Sequence, residues 1–216
     1  MDSGERLRVS EIFRSLQGEG RTVGLPSVFV RLTGCPLRCR YCDTTYAFRG
    51  GENMTLDTVL ARVAAEDTLH VVVTGGEPLA QPGCIPLLDA LLEAGHAVSL
   101  ETSGAFDIAP VDRRVSRVMD LKSPGSGEQA RNRWENLAEL TRHDQLKFVL
   151  VDRADYEWAR AVIQREALAG RCELLFSPAF GSLDGARLAE WILEDRLPVR
   201  FQLQLHKILW GDQPGR

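Results

Sequence analysis

The sequence lacks a long apolar segment and any strong excess of charge of one sign. Its longest purely apolar runs span only a few residues, too few to cross a bilayer, and residues 1–8 contain no apolar signal-peptide core. The net charge is −4, from 26 basic and 30 acidic side chains, which creates no general attraction to nucleic acid. We therefore expect a cytoplasmic protein whose partners include neither a membrane nor a nucleic acid.

The chain also lacks internal repeats and low-complexity linkers. Its 216 residues, 44% of them apolar, suffice for one domain with a substantial core and are few for two. We predict a single domain over residues 1–216, in which residues 211–216 form a disordered tail.

Short apolar strands alternate with amphipathic helical patterns along the chain. The predicted strands are 27–32, 69–74, 97–101, 117–120, 145–149, 173–177 and 200–204, and the predicted helices are 55–66, 86–94, 132–141, 154–168 and 184–195. This alternation is typical of a mostly parallel sheet with right-handed crossovers. Six or so units are too few for a closed eight-fold barrel, so we predict an α/β fold with a partial (βα)6-type TIM-like barrel. An open doubly wound sheet is the alternative, and in either fold ligands bind at the carboxyl ends of the strands.

Three of the five cysteines lie within eight residues, in a loop after the first predicted strand. Cys35, Cys39 and Cys42 give the spacing C-x3-C-x2-C, which lets three thiolates surround one metal centre. A structural zinc site takes four ligands, whereas Cys84 and Cys172 are distant in sequence. Three thiolates fit a 4Fe–4S cluster with one open iron, and zinc with a distant fourth ligand is the alternative.

Two motifs together carry a first resemblance. Tyr41 precedes the last cysteine of the loop, and the segment Thr-Gly-Gly-Glu-Pro at 74–78 follows an apolar strand. At this spacing, the two motifs resemble the signatures of the radical S-adenosylmethionine superfamily, whose second motif contacts the amino group of the cofactor. The single domain is thus identified as a radical S-adenosylmethionine core.

Other segments resemble a narrower family within that superfamily. They are residues 12–20, 101–104, 120–122 and 204–207. Together with the two signatures they resemble the 7-carboxy-7-deazaguanine synthases of queuosine and 7-deazapurine biosynthesis over residues 9–207, most specifically in Leu-Gln-Gly-Glu-Gly at 16–20. The resemblance implies a carbon–nitrogen lyase that converts 6-carboxy-5,6,7,8-tetrahydropterin to 7-carboxy-7-deazaguanine, with ring contraction and loss of ammonia.

The resemblance also implies cofactors and partners. The cofactors are one 4Fe–4S cluster, S-adenosylmethionine and Mg²⁺. The reduced cluster would donate an electron to the sulfonium, giving methionine and a 5′-deoxyadenosyl radical that takes hydrogen from the substrate ring. The implied partners are the small pterin substrate, an electron donor of the flavodoxin or ferredoxin type, and a second copy of the chain in a homodimer.

Individual positions match the motifs of the family, residue by residue. The substrate-binding positions are Leu16, Gln17, Gly18, Arg31 and Thr74. The cofactor-binding positions are Tyr41, Cys42, Asp43, Gly76, Glu101, Ser103, Asp120, Leu121 and Lys122, and the metal-binding positions are Cys35, Cys39 and Cys42 for the cluster and Thr44 for Mg²⁺. The forked guanidinium of Arg31 suits a substrate carboxylate, with a surface ion pair as the alternative. The hydroxyl of Thr44 is a hard ligand that suits Mg²⁺.

Some positions depart from the family pattern or leave two interpretations open. Leu205 stands where family members often carry threonine before His-Lys, and residues 211–216 extend beyond a motif after which some members end. Three polar residues lie in predicted strands or just after them, namely Lys147, His206 and Lys207. Each could contact a ligand or could be a hydrogen-bonded structural residue, and the pattern favours neither role.

Two other functions share parts of this pattern. An activating enzyme that places a glycyl radical on a partner protein would use the same cysteine and Gly-Gly-Glu motifs, but it needs a broad groove instead of a pterin pocket, and residues 16–20 favour the pocket. A non-catalytic zinc or iron–sulfur module is the third hypothesis. Anaerobic metal analysis distinguishes it, because it predicts one zinc and no labile sulfide.

Overall fold

One nine-stranded sheet organises the residues that the computed structural model describes, which are 6–211, 213 and 215. The strands are β1 (Arg6–Leu16), β2 (Pro26–Leu32), β3 (Glu52–Thr55), β4 (His70–Gly75), β5 (Ala97–Thr102), β6 (Ser116–Asp120), β7 (Gln145–Leu150), β8 (Glu173–Pro178) and β9 (Arg200–Phe201). The helices are α1 (Leu56–Ala64), α2 (Cys84–Glu93), α3 (Asn136–Glu139), α4 (Arg153–Arg165), α5 (Gly185–Glu194) and α6 (Leu205–Trp210). Strand order across the sheet is β3-β1-β2-β4-β5-β6-β7-β8-β9.

Most of this sheet is parallel. Strands β2 and β4 to β9 pair in parallel, whereas β1 pairs antiparallel with both β2 and β3. Within the described residues the edge strands β3 and β9 do not pair with each other, so the sheet is not closed. The prediction of an α/β fold with a partial, mostly parallel barrel is confirmed.

The predicted parallel strands are confirmed to within one residue at each end, apart from the last. The predicted strand 200–204 is wrong beyond residue 201, because the chain turns there into α6. The amide of Gln202 still donates to the carbonyl of Phe176 at 3.0 Å, and the amide of Leu205 then donates to Gly18 O at 3.0 Å. His206 and Lys207 therefore lie on a helix and not at a strand end.

One connection is less helical than the pattern predicts, and another, for which no helix is predicted, has none. The predicted helix 132–141 shortens to α3, because the side chain of Asn132 bonds both the amide and the carbonyl of Lys122, at 2.9 and 2.8 Å, and holds that stretch out of a helix. Residues 103–115, between β5 and β6, contain no α-helix.

The antiparallel strands β1 and β3 are absent from the sequence-based prediction. In β1, the buried side chains of Leu7 and Val9 alternate with the exposed ones of Arg6 and Arg8. A strand pair at the edge of a sheet can leave one face in water, so its sequence is largely polar and gives only a weak strand signal.

The helices pack their apolar faces against the sheet and leave the carboxyl ends of the parallel strands accessible. Helix α1 begins as predicted, since Thr55 Oγ1 accepts a hydrogen bond from the amide of Thr58 at 3.2 Å. Its buried face carries Val59 and Val63, which join an apolar cluster with β2, β4, β5 and α2. A second cluster joins β6, β7 and β8 to α3, α4 and α5.

No helix among the described residues is long and apolar enough to cross a membrane.

Two predictions concern residues that the structure describes only in part. Residues 212, 214 and 216 of the predicted disordered tail and residues 1–5 lie outside the described residues. The disordered tail and the domain boundary 1–216 therefore stay predictions.

A buried ion pair joins β6 to the segment before β7. Arg117 and Asp144 are 2% and 1% exposed, and the guanidinium contacts both carboxylate oxygens, with Nε–Oδ1 at 2.9 Å and Nη2–Oδ2 at 2.6 Å. Burial alone raises the pKa of Asp144, but hydrogen bonds from Arg117 and Thr141 outweigh it and hold that pKa below its usual range.

We expect Asp144→Asn to lower the free energy of unfolding by about 3–5 kcal/mol, because it leaves the buried guanidinium of Arg117 without a counter-charge. The folded-state pKa of Asp144 is lowered, so its carboxylate stabilises the fold above the unfolded pKa, and this stability is lost as pH falls through the folded pKa. Urea denaturation at neutral and acid pH should show a smaller acid-induced loss in the variant.

Asp107→Asn is the matched control, because the ion pair of Asp107 with Arg133 is 47% and 44% exposed on its two side chains. Asp107→Asn should lower the free energy of unfolding by less than about 1 kcal/mol. Equal losses of stability in the two variants would contradict the importance of the buried pair.

Candidate active site

A cavity of about 220 Å³ lies at the carboxyl ends of the parallel strands. The predicted site residues that line it are Leu16, Gln17, Gly18, Arg31, Cys35, Cys39, Tyr41, Cys42, Asp43, Thr44, Thr74, Gly76, Glu101, Ser103, Asp120 and Lys122. These residues come from loops and strand ends spread over residues 16–122. The structure therefore brings the separate motifs into one place, as expected for a parallel sheet.

Leu121 is the predicted site residue that does not line this cavity. Its side chain is fully buried in the apolar core, and its amide donates to Lys147 O at 2.9 Å. Side chains of an extended segment alternate in direction. Asp120 and Lys122 therefore line the cavity while Leu121 packs on the other side.

The three cysteines of the loop are free thiols that all line the cavity. Burial is the largest influence on each and raises its pKa, to about 11 for Cys39 despite the opposing charge of Lys122. Thiols with raised pKa values become thiolates when a metal binds them, because the metal displaces the proton. The three thiols line one cavity, where each would lose its proton on binding a metal centre.

The spacing of these thiols bears on which metal centre they fit. Among the described residues, no three His, Cys, Asp or Glu side chains are grouped closely enough to hold one metal ion. A four-iron cluster binds each thiolate at a different iron, so its three thiols need to surround one space and not one point. Cys35, Cys39 and Cys42 all line the same cavity.

The turn at 74–78 holds the cysteine loop through backbone contacts. Gly76 N–H donates to Leu32 O at 3.0 Å, and Glu77 N–H donates to Gly34 O at 2.8 Å. A Cβ atom on Gly76 would clash with Gly34 O and would lie 2.8 Å from Cys35 Cβ. Glycine is required at position 76 because the turn and the loop approach each other backbone to backbone.

Glu77 is a structural member of the site that the prediction does not assign. Its carboxylate is fully buried and accepts hydrogen bonds from Thr102 Oγ1 at 2.8 Å, Ser103 N at 2.7 Å and Leu79 N at 3.0 Å, and from the Ser103 hydroxyl. It thereby ties the end of β4 to the end of β5. Its place in the Gly-Gly-Glu-Pro motif is the sequence signal that marks it.

Glu101 joins two of the predicted substrate-binding residues. Gln17 Nε2 donates to Glu101 Oε1 at 3.1 Å, and Thr74 Oγ1 donates to Glu101 Oε2 at 2.9 Å. Gln17 Oε1 is also occupied, because it accepts the amide of Glu19 at 3.1 Å. The structure places Glu101, predicted as a cofactor contact, beside the predicted substrate residues.

Arg31 forms an ion pair, which the sequence analysis gives as the alternative to substrate binding, and its predicted substrate role stays a prediction. Its Nε forms an ion pair with Glu11 Oε1 at 2.6 Å, and Tyr46 OH donates to the same oxygen at 2.8 Å. Its guanidinium carbon lies 5.8 Å from the ring centre of Phe13. In the described part of the chain, the two terminal nitrogens of Arg31 have no hydrogen-bond partner, so they are available at the cavity wall.

A row of buried charges crosses the cavity floor. Lys147 Nζ lies 2.6 Å from Glu19 Oε2 and 3.7 Å from Asp120 Oδ2, and Lys122 Nζ lies 3.0 Å from that Asp120 oxygen. Burial alone would lower the pKa of each lysine. The carboxylate of Asp120 outweighs burial for Lys122, and that of Glu19 does so for Lys147, so both pKa values are raised. Both ammonium groups are therefore charged, and Lys147 and Glu19 join the site.

Two polar atoms at this floor have no protein partner. Asp120 Oδ1 and Tyr41 OH are buried, and neither has a hydrogen-bond partner among the described residues. Buried polar atoms of native proteins are normally satisfied. Each of these two atoms has almost no exposed surface, so a ligand in the cavity could bond it only after the surrounding side chains shift.

The first turn of α6 closes the opposite side of the cavity. Gln204 Nε2 donates to Glu19 Oε1 at 2.8 Å and to Asp43 Oδ2 at 3.3 Å, and Lys207 Nζ lies 3.8 Å from the same Asp43 oxygen. His206 lines the cavity, and a Cβ atom on Gly18 would clash with its ring. Position 18 therefore needs glycine.

Leu205 contributes to this closure through its backbone. Its amide donates to Gly18 O at 3.0 Å. Because any residue other than proline can make this contact, the replacement of the family's threonine by leucine leaves it intact.

We expect Cys39→Ala to prevent assembly of a 4Fe–4S cluster without unfolding the chain, because the Cys39 side chain lines the cavity and does not pack in the core. Anaerobic reconstitution followed by iron and sulfide analysis measures the cluster, and circular dichroism measures the fold. Cys172→Ala is the matched control, since Cys172 is buried away from the cavity and should leave the cluster intact. Normal iron and sulfide in Cys39→Ala would contradict its assignment as a ligand.

Comparison with known proteins agrees with this geometry. The family model described as the radical SAM superfamily matches residues 29–122. The 7-carboxy-7-deazaguanine synthase of Chlorobaculum tepidum is 47% identical over 98% of this chain and 97% of its own length, and that of Koribacter versatilis is 44% identical over 94% and 97%. The predicted family is confirmed, and it is favoured over the glycyl-radical activating enzyme.

Solved structures share the fold at lower identity. The crystal structure of QueE from Escherichia coli has a TM-score of 0.75 at 23% identity, over 93% of this chain and 95% of that one. Streptococcus suis SuiB bound to S-adenosylmethionine has a TM-score of 0.58 at 15% identity, over 79% of this chain and 48% of that one. With the fold, the site and the sequence relatives in agreement, the chain belongs to the 7-carboxy-7-deazaguanine synthase family of radical S-adenosylmethionine enzymes.

Proposed function

We propose that this protein converts 6-carboxy-5,6,7,8-tetrahydropterin to 7-carboxy-7-deazaguanine, with ring contraction and loss of ammonia, in queuosine and 7-deazapurine biosynthesis. The observation that carries this proposal is the convergence on one cavity of the cysteine loop, the turn at 74–78 and the segment at 16–20. The names of the sequence relatives support it. A protein-activating enzyme would instead need an open groove for a polypeptide.

The cofactor half of the cavity fits a cluster and a nucleoside. Cys35, Cys39 and Cys42 would hold the 4Fe–4S cluster that the family requires. When bound, the cluster and S-adenosylmethionine supply the electron and the carbon radical that remove a hydrogen atom from the substrate. The ion pair of Asp120 and Lys122 lines the same cavity as the three cysteines and would meet the cofactor's polar groups.

The substrate half presents groups that match a pterin carboxylate. The two terminal nitrogens of Arg31 would hold the carboxylate in a forked contact, with Glu11 fixing the guanidinium from behind. The Glu101 carboxylate would accept hydrogen bonds from pterin N–H groups. The second N–H of Gln17 Nε2 is the donor left on that side chain. These contacts would orient the ring for hydrogen removal and keep water out of the cavity.

Thr44 and Asp43 fit the proposed Mg²⁺ site. Thr44 Oγ1 donates to Asp43 Oδ1 at 2.8 Å, which places hard oxygen atoms beside the cavity. Mg²⁺ usually retains several waters and takes few protein ligands, so a site with one hydroxyl ligand and substrate oxygens is sufficient. Mg²⁺ would then draw the substrate carboxylate region toward the loop.

We further infer a cytoplasmic location, a homodimer and a flavodoxin- or ferredoxin-type electron donor, which stay predictions from the resemblance. The donor prediction has a physical basis in the reaction itself, because each reduction of the cluster needs one electron from outside the chain.

An anaerobic turnover assay tests the proposed function. Reconstituted protein with carboxytetrahydropterin, S-adenosylmethionine, Mg²⁺ and dithionite should form 7-carboxy-7-deazaguanine and ammonia in equal amounts. The parallel readout is cleavage of S-adenosylmethionine to 5′-deoxyadenosine without substrate. A protein that cleaves the cofactor but leaves the pterin unchanged would contradict the proposed substrate and leave the radical chemistry standing.

We expect Arg31→Ala to raise the dissociation constant of the pterin by about 10–100-fold, because charged hydrogen bonds contribute about 1.5–3 kcal/mol. The dissociation constant of S-adenosylmethionine should change little. Isothermal titration of the reconstituted protein measures both. Glu11→Gln is the control, since it weakens the ion pair but retains the guanidinium, and it should have a smaller effect. Equal losses of affinity for both ligands would remove Arg31 from the substrate site.

A further inference from the structure

The connection between β1 and β2 is a loop that reaches across the sheet. Its two ends are held together at a narrow neck, where Gln17 N–H donates to Leu25 O at 2.9 Å and Gly24 N–H donates to Gln17 O at 2.8 Å. We call residues 17–21 the bridge segment, because each of them contacts a part of the chain beyond β1 and β2. Their partners, in order, are Glu101 in β5, Leu205 in α6, Lys147 in β7, Gln202 just after β9, and Glu173 in β8.

The bridge segment runs along the cavity face of β7. Glu19 Oε2 pairs with Lys147 Nζ at 2.6 Å, and both residues line the cavity. Gln145 lies two residues earlier on the same strand, so its side chain points to the same face. Gly20 lies against it, with 3.1 Å between Gln145 Oε1 and the place of a Cβ atom on Gly20, and its N–H donates to Gln202 Oε1 at 2.8 Å. Between residues 19 and 20 the segment therefore passes from the cavity toward the amino end of β7.

Arg21 fastens the far end of the bridge segment. Its Nε donates to Glu173 Oε2 at 3.1 Å, and its two terminal nitrogens donate to His143 O and Arg142 O, each at 3.2 Å. The guanidinium thereby joins the segment to the first residue of β8 and to the chain just before β7. Three donors of one side chain point at three separate acceptors, which is a contact that the planar fork of arginine makes and an ammonium group does not reproduce.

The Arg21 contacts differ in place from the inner contacts of the segment. Residues 17–19 line the cavity, and so do their partners Glu101 and Lys147, so a ligand that bonds these side chains competes with the segment for them. Arg21 does not line the cavity, and neither does any of its three partners. A ligand in the cavity therefore leaves the Arg21 contacts in place, and they hold the segment from outside the site.

We propose that Arg21 is a positioning residue that strengthens binding of the pterin substrate without touching it. This role rests on the proposed function, because the pterin is the ligand assigned to residues 16–18. Arg21 holds the end of the bridge segment against β7 and β8, so Gln17 and Gly18 stand in place before the substrate arrives. Binding then has no loop to order, which is how preorganisation raises affinity. Without the guanidinium, the ordering of the segment becomes part of the binding step.

Arg21→Ala in the reconstituted holoenzyme tests this role. The dissociation constant of the pterin should rise about tenfold, equivalent to about 1.4 kcal/mol, and that of S-adenosylmethionine should change little. Isothermal titration without a reductant measures both. In turnover, KM for the pterin should rise with the dissociation constant, while kcat at saturating pterin changes little, because the lost contact lies far from the reacting atoms. Arg21→Lys retains the charge without the fork and should give an intermediate dissociation constant, and it is the test variant where Arg21→Ala does not fold.

Arg200→Ala is the matched control, because Arg200 pairs with the same carboxylate. Its Nη2 lies 2.6 Å from Glu173 Oε1, and its side chain is 44% exposed, close to the 39% of Arg21. It belongs to β9 and not to the bridge segment. Thermal melting should show similar small losses of stability in Arg200→Ala and Arg21→Ala, whereas the pterin dissociation constant of Arg200→Ala should equal that of the wild type.

Hydrogen exchange without pterin measures the bridge segment directly. The amides of Gly20 and Leu205 both form hydrogen bonds that hold this segment in place. They should exchange faster in Arg21→Ala and at the wild-type rate in Arg200→Ala, because exchange reports local opening.

Three results would overturn the positioning role. They are wild-type pterin affinity in the Arg21 variant that folds, an equal loss of pterin affinity in Arg200→Ala, and an equal loss of affinity for S-adenosylmethionine. Faster exchange with unchanged pterin affinity belongs to the first of these and would make Arg21 a structural residue only. Failure of the proposed function has a different signature, because the wild-type protein itself would then neither bind nor convert the pterin.

Discussion

The contact between the turn at 74–78 and the cysteine loop is the constraint on which the site depends. Two parallel strands end side by side, and the residues that follow them meet backbone to backbone, with no side chain between Gly76 and Gly34. This contact fixes where the thiols stand relative to the sheet. Glu77 then extends the same arrangement to β5, so that hydrogen bonds join the loops from three strand ends. A ligand bound there meets preorganised groups.

Around these joined loops the cavity divides into two polar environments. On the floor, the ammonium groups of Lys122 and Lys147 alternate with the carboxylates of Asp120 and Glu19. At the side, Glu101 accepts hydrogen bonds from the neutral side chains of Gln17 and Thr74. A cofactor with both an amine and a carboxylate suits the first environment, and a ring rich in N–H groups suits the second.

Much of this arrangement is predictable from the sequence. The parallel strands have apolar runs that identify them, and the motifs follow those strands, so their convergence at one edge is expected. The site role predicted for Leu121 comes from the family motif at 120–122 taken as a whole. In an extended segment every second side chain points away from the site, so only Asp120 and Lys122 of this motif line the cavity. Strand β1 and helix α6 lack strong local signals, since β1 is half exposed and α6 is short. Their contacts with the site depend on residues far away in the sequence, such as the bond between Leu205 and Gly18.

The position of α6 has a consequence for how the enzyme is made. The pocket wall combines Gly18 and Glu19, near the start of the chain, with Gln204 and His206, close to two hundred residues later. During synthesis the sheet can therefore assemble strand by strand while the ribosome still holds the segment that completes the pocket. The wall of the pocket is therefore complete only when residues 204–206 have packed against residues 18 and 19.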